Sequence, residues 1–216
     1  MSIFITGTDT AVGKTRVAAL LVRALREARV DAVGFKPVCC GGREDAEALV
    51  SASKDAVTLN DVNPVWLRPP VAPYTAAMIE GRVVDVALVR ETFSRLRSAH
   101  AAVIVEGCGG WLVPVAQDFS MADLAAEFAL PVLVVAANRL GVINHTLLTV
   151  AAIRARGLAC AGVLLNQVQQ PAPNDAAVLT NDAVLEELLD VPVLGELEFG
   201  KDTLPADLLS RLGTVS

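Results

Sequence analysis

Residues Gly7–Thr15 read GTDTAVGKT, and they follow directly on the apolar run IFIT, Ile3–Thr6. A phosphate-binding loop of the form G-x-x-x-x-G-K-[ST] wants that setting: a strand, a glycine turn, then a helix whose free N–H groups face a phosphate. The chain keeps Gly13, Lys14 and Thr15 but sets its first glycine one step early, at Gly7, with Thr8 in the expected place. Behind the loop, Val17, Leu20, Leu21, Ala24, Leu25 and Ala28 recur at helical spacing, which predicts a helix starting near Lys14. In that setting Lys14 reaches β- and γ-phosphate oxygens and Thr15 offers its hydroxyl to Mg²⁺. The bland alternative is a tight strand-to-helix turn, against which Gly-Lys-Thr at a helix start weighs heavily.

The same alternation runs on. Apolar stretches VDAVGF, AAVIVEG, LPVLVVAAN, CAGVLLN and VPVLGELE are separated by segments of helical period, such as LGVINHTLLTVAAIRARG, which closes on basic residues and Gly157. Repeated units of this kind predict one doubly wound α/β domain over 1–216, a mostly parallel sheet flanked by helices, of P-loop NTPase type. The segment of about 60–82 is rich in proline and glycine and has no period, so an irregular loop or lid is expected there.

Composition narrows the partners. The chain is 53% hydrophobic but only 4% aromatic, so its core is built from Ala, Val and Leu, which suits a covered parallel sheet. A net charge of −6 lacks the basic footprint of nucleic-acid or anionic-membrane binders, and a small polar ligand is expected. The start MSIFITG has no basic region ahead of an apolar run, and no apolar stretch approaches bilayer length, so a cytoplasmic location is expected. Cys39, Cys40, Cys108 and Cys160 show no metal-ligand spacing and read as reduced, small apolar fillers. His100 and His145 are too few and too far apart in sequence to suggest a metal site.

Several residues outside the loop carry chemistry at strand ends, where open α/β sheets gather ligands. Lys36 follows an apolar strand in FKPV, Glu106 closes AVIVEG, and Asn166 closes AGVLLN. Asp45 stands in GGREDAEAL beside Glu44, where it reads equally as a first-turn helix acid. The glycines of EGCGG admit close backbone approach to a ligand. Gly141–Asn144 begin a helix, whose free N–H groups suit a carboxylate.

The run TGTDTAVGKT resembles the phosphate loop of the dethiobiotin synthetases. FKPV, EGCGGWLVPV, LPVLVVAANRLGVINHTLLT and GVLLNQV follow in that family's order and spacing, from Ile3 to about Phe199. The resemblance implies ATP- and Mg²⁺-dependent ring closure. CO₂ adds to an amine of 7,8-diaminopelargonic acid as a carbamate, ATP phosphorylates it to a carbamic-phosphoric anhydride, and the second amine closes the ureido ring. Dethiobiotin, ADP and phosphate are the products.

The resemblance also distributes roles. It implies catalysis by Lys14, Lys36 and Thr10. Nucleotide binding falls to the loop residues Asp9, Thr10, Ala11, Val12, Gly13, Lys14, Thr15 and Arg16, with Asn166 reading the adenine edge. Thr15, Asp45 and Glu106 become the Mg²⁺ ligands. Lys36, Cys40, Glu106, Gly109 and Gly110 would hold the diamino acid, whose carboxylate tail goes to Gly141, Val142, Ile143 and Asn144 of a partner subunit. A homodimer with a shared site follows. Three positions depart from the pattern: Ala11 replaces an acid common in the family, Cys40 replaces a serine, and the only tyrosine is Tyr74.

Rival readings leave the phosphate chemistry intact. A dimerising ATPase switch of the partition or septum-site kind spells its loop K-G-G-x-G-K-[ST], and Asp9 stands where that signature lysine would be. An amide ligase of the cobyrinate diamide synthase type carries a glutaminase domain, for which 216 residues are expected to leave no room. A binding-only relative fused to an acetyltransferase is a third alternative.

Overall fold

The computed structural model describes residues 2–213. Strand β1 (Ile3–Gly7) leads through the glycine loop into helix α1 (Lys14–Glu27), and β2 (Ala32–Phe35) follows. A short strand β3 (Val38–Cys40) precedes α2 (Glu44–Ala52), α3 (Leu59–Val62), β4 (Val65–Leu67), α4 (Pro73–Ile79) and α5 (Val86–Ala99). Then come β5 (Ala102–Gly110), the small strands β6 (Pro114–Ala116) and β7 (Phe119–Ser120), and α6 (Met121–Phe128). The chain closes with β8 (Val132–Ala137), α7 (Val142–Ala155), β9 (Cys160–Asn166), α8 (Ala176–Leu188), β10 (Val193–Leu197) and α9 (Leu208–Gly213).

Six strands form the central sheet in the order β10-β9-β8-β1-β5-β2, every pair parallel. These are the six apolar runs read from the sequence. Both faces are covered, so β1 and β8 are buried along their whole length and no polar alternation shows in them. β1 pairs with β5 on one side and β8 on the other, with Phe4 opposite both Val105 and Val132. The strand order therefore turns around at β1, and the crevice beyond its carboxyl end is where such sheets take ligands.

β5 does not run out straight. Ile5 pairs with Glu106 but Gly7 pairs with Gly110, so β5 carries two extra residues over this stretch and bulges between Glu106 and Gly110. The bulge aims backbone and side chains into the crevice instead of along the ladder.

The segment 60–82 is not the irregular loop expected. β4 pairs parallel with β3, Cys39 opposite Trp66, and α4 starts with Pro73 in its first turn. Strands of three residues and helices of four and seven are too short to show a period, and Pro73 marks a helix start, not a break. Among the described residues no helix is long and apolar enough to cross a membrane. His100 caps the end of α5 and pairs with Asp31, Nδ1 to Oδ2 at 2.9 Å.

Candidate active site

The early glycine has a steric cause. Lys14 curls back over the loop to donate from Nζ to the Asp9 carbonyl at 2.9 Å. A Cβ at Gly7 would meet Val12 Cγ2 at 2.7 Å and Lys14 Nζ at 3.0 Å, so the close approach falls on the last residue of β1. Gly13 is fixed twice over, by a φ of +93° and by Asn166, whose Nδ2 a Cβ there would meet at 2.0 Å. Ala11 holds a left-handed φ of 58° without being glycine, a strain of about 1–3 kcal/mol of the kind stored at functional loops.

Around this loop lies a cleft of about 610 Å³, lined among others by Thr10, Ala11, Lys14, Thr15, Lys36, Cys40, Asp45, Glu106 and Gly109. At its floor the Lys36 ammonium donates to Glu106 Oε1 at 2.5 Å and to Asp45 Oδ2 at 2.7 Å, with the Gly107 carbonyl at 3.4 Å. The Thr15 hydroxyl lies 2.8 Å from Asp45 Oδ1 and 2.7 Å from Glu106 Oε1. Four stretches of chain thus converge: the start of α1, the residue after β2, the first turn of α2 and the middle of β5, where its bulge begins. Asp45, not Glu44, faces the cleft. It is at once a first-turn acid of α2 and a partner of Lys36, so the two readings of it are compatible.

Charge is concentrated here at low solvation. Burial works against the Lys36 ammonium, yet Glu106 and Asp45 outweigh it and hold the proton well above the usual lysine range. Burial raises Glu106 despite the charge of Lys36. Burial also pushes Asp45 upward, but Lys36 and the Thr15 hydroxyl hold it below the ordinary value. Lys14 is lowered, first by burial and then by the charge of Lys36.

The donor set fits a hard divalent cation. Glu106 Oε2 is buried with no hydrogen-bond partner, and Thr15 and Asp45 present further oxygens beside it. Among the described residues no three His, Cys, Asp or Glu side chains gather to hold a metal. Two carboxylates and a hydroxyl are oxygen donors of the kind Mg²⁺ takes alongside waters and phosphate oxygens.

A second opening of about 450 Å³ adjoins the loop, lined by Ala11, Gly13, Arg16, Asn166, Gln167, Phe199 and Asp202 among others. Asn166 donates from Nδ2 to the Val12 carbonyl at 2.8 Å and accepts from Arg16 Nη1 at 3.0 Å. Arg16 also holds the Glu198 carbonyl at 2.8 Å. Asn166 is therefore braced against the loop as well as lining this opening.

The structure does not bring every candidate together. Gly141 and Asn144 are exposed at the start of α7, and none of Gly141–Asn144 lines the cleft around Lys36. Gly110 sits at the end of β5, where its position abuts the Gly7 carbonyl. Asp9 is exposed, its carboxylate accepting the Thr10 N–H at 2.7 Å. Asn63 was not singled out in the sequence. It is buried and donates from Nδ2 to the Lys36 and Val65 carbonyls, both at 2.9 Å, while Arg43 holds its Oδ1 at 3.0 Å. The signal that could have found it is an asparagine before a proline at a strand start. Cys108, in the β5 bulge, also lines the cleft. The Cys40 thiol shifts Cys108 downward, and Cys108 shifts Cys40 upward.

A family model described as an AAA domain matches residues 1–206. The ATP-dependent dethiobiotin synthetase of Akkermansia muciniphila is 48% identical over 209 residues, 96% of this chain and 97% of that one. That of Anaeromyxobacter dehalogenans is 48% identical over 190 residues, 86% of this chain and 84% of the relative. Among solved structures, the septum site-determining protein MinD of Pyrococcus horikoshii, complexed with Mg-ADP, superposes with a TM-score of 0.55. It is 16% identical, over 92% of this chain and 82% of that one, a likeness of P-loop fold alone.

Proposed function

The chain belongs to the dethiobiotin synthetase family, and from that premise we propose how its cleft closes a ureido ring with ATP. The reaction joins CO₂ to 7,8-diaminopelargonic acid through a carbamate and a carbamic-phosphoric anhydride, releasing ADP and phosphate. The observation that carries this reading is the buried Lys36 ammonium, held over the phosphate loop by Glu106 and Asp45. A carbamate and a triphosphate repel each other, so their meeting point needs fixed positive charge in a site of low dielectric. Lys14 and Lys36, both lining the cleft, supply it.

In this reading the loop amides from Asp9 to Arg16 and Lys14 cradle the phosphates, and Lys14 leaves the Asp9 carbonyl to do so. Thr10, beside Gly109, orients the transferring group. Lys36 contacts the carbamate and the moving phosphoryl group. Thr15, Asp45 and Glu106 hold Mg²⁺, which supplies neutralisation of the phosphate charge when bound. The opening beside Asn166 takes the adenine. Cys40, Gly109 and Gly110 border the diamines. Gly141, Val142, Ile143 and Asn144 serve the site of a partner subunit, where the α7 N–H groups receive the substrate carboxylate. A homodimer in the cytoplasm is part of this reading.

Incubation with ATP, Mg²⁺, ¹³C-bicarbonate and the diamino acid tests it. Labelled dethiobiotin is expected, with one phosphate released per ring and little release when the diamino acid is withheld. Phosphate release that ignores the diamino acid would favour a nucleotide switch.

A further inference from the structure

Glu106 and Asp45 hold the Lys36 ammonium, but its main chain is held from elsewhere. β2 is an edge strand of the sheet, and its last pair with β5 is Phe35 opposite Val105. Lys36 lies one step beyond. Its N–H donates to the Val62 carbonyl at 2.8 Å, and its carbonyl accepts from Asn63 Nδ2 at 2.9 Å. The last residue of α3 and the residue that caps it therefore take both main-chain groups of the lysine. The other Nδ2 hydrogen of Asn63 goes to the Val65 carbonyl at 2.9 Å.

Arg43 completes the arrangement. Its Nε donates to Asn63 Oδ1 at 3.0 Å and its Nη2 to the Asn63 carbonyl at 2.8 Å, while the same guanidinium reaches the Leu59 carbonyl and Asn60 Oδ1. Arg43 is also the residue from which α2 starts, two before Asp45. The contacts close a ring. Lys36 Nζ meets Asp45, the first turn of α2 joins Asp45 to Arg43, Arg43 meets Asn63, and Asn63 returns to the Lys36 carbonyl. Asn63 is buried with both Nδ2 hydrogens and Oδ1 engaged, yet it does not line the cleft.

We propose that Asn63 is a positioning residue for phosphoryl transfer. Through the Lys36 carbonyl on one side and Arg43 on the other, it sets where the Lys36 ammonium stands between carbamate and γ-phosphate; this rests on the functional reading above. A lysine carries its charge on a flexible four-carbon stem, so the ammonium keeps one place only where the main chain and the partners are both fixed. A misplacement of about 1 Å can lower a rate about a hundredfold. None of the hydrogen bonds of Asn63 goes to the phosphate loop, so nucleotide binding should not depend on it. The plainer role, an asparagine that caps α3 before Pro64 and satisfies buried carbonyls, would show in stability alone.

Asn63→Asp tests it, because the variant keeps the size of the side chain and an oxygen for Arg43, and replaces both donors with an oxygen that repels the Lys36 and Val65 carbonyls. Diamino acid-dependent phosphate release, ADP calorimetry and denaturant unfolding are measured on one preparation. kcat should fall about tenfold to a hundredfold, while KM for ATP and the ADP dissociation constant stay within about twofold of wild type. Arg43→Lys, which keeps the charge but loses the fork that grips several acceptors, should lower kcat in the same way but by less. Lost stability with wild-type kcat would make Asn63 a brace and overturn the proposal, as would a loss of ADP affinity equal to the loss of kcat. If Asn63→Asp does not fold, Arg43→Lys decides: lowered kcat with ADP affinity intact supports the proposal, and wild-type kcat overturns it. Wild-type protein that releases no phosphate with the diamino acid overturns the functional reading, and the proposal with it. A working wild type beside an Asn63→Asp variant of unchanged kcat overturns the positioning alone.

Discussion

Around Lys36 each polar group leans on another, whereas the start of α7 stands open. Lys36, Thr15, Asp45 and Glu106 are joined by hydrogen bonds from four stretches of chain, with Lys36 3% and Glu106 0% exposed. Gly141 and Asn144 are exposed, and α7 has no side-chain cap. The first region pairs its charges before any ligand arrives, though it leaves Glu106 Oε2 without a partner, because unpaired charge in the interior is costly. The second leaves its N–H groups to solvent or to another molecule. Changes in the first should therefore disturb folding and turnover together, and changes in the second should disturb turnover alone.

The largest effect is expected at Lys36. Lys36→Met leaves Glu106 buried beside Asp45 without a cation, at a cost of about 3–5 kcal/mol in denaturant unfolding, and turnover disappears. Adding Glu106→Gln should restore part of the stability and none of the turnover. Wild-type stability in the single variant would break the comparison, since the network would then carry nothing.

Lys14→Gln separates the two properties inside the same cleft. Phosphate release should fall roughly a hundredfold to a thousandfold. Stability should not drop, because burial and the charge of Lys36 already disfavour the Lys14 ammonium. A clear loss of stability would mean that the bond to the Asp9 carbonyl holds the loop together.

A smaller effect is expected at Asn166. Asn166→Ala removes the bonds to the Val12 carbonyl and Arg16, about 1–2 kcal/mol of stability at ordinary hydrogen-bond worth, and should raise KM for ATP more than it lowers kcat. Unchanged ADP affinity by calorimetry would confine Asn166 to bracing the loop.

What the sequence disclosed follows the same division. Strands of five to nine residues, each holding an apolar run, announce β1, β5, β8, β9 and β10, because burial on both faces leaves a continuous signal. β3 and β4, three residues each, leave none, and the segment they brace looked irregular for that reason. Lys36, Glu106 and Asn166 were legible as polar residues closing apolar strands. The displaced glycine was legible as part of the family's loop but not in its cause, which is the approach of the Val12 and Lys14 side chains to Gly7. Asn63 acts through a contact distant in sequence, to the Lys36 carbonyl, which no local pattern records.

The smallest structural change gives the sharpest test. Asn144→Asp places an anion in the first turn of α7, which stabilises the helix by about 0.3–1 kcal/mol yet repels a substrate carboxylate. Its KM for the diamino acid alone should rise. Mixing this variant with Lys14→Gln, after subunit exchange verified by native mass measurement, tests whether one site draws on two chains. Each parent should be inactive at diamino acid concentrations well below the raised KM. With random exchange half the dimers are hybrids, and each hybrid holds one site free of both lesions, so activity should recover to about a quarter of wild type. Hybrids that form and stay inactive would place Lys14 and Asn144 in the same chain's site and contradict the account.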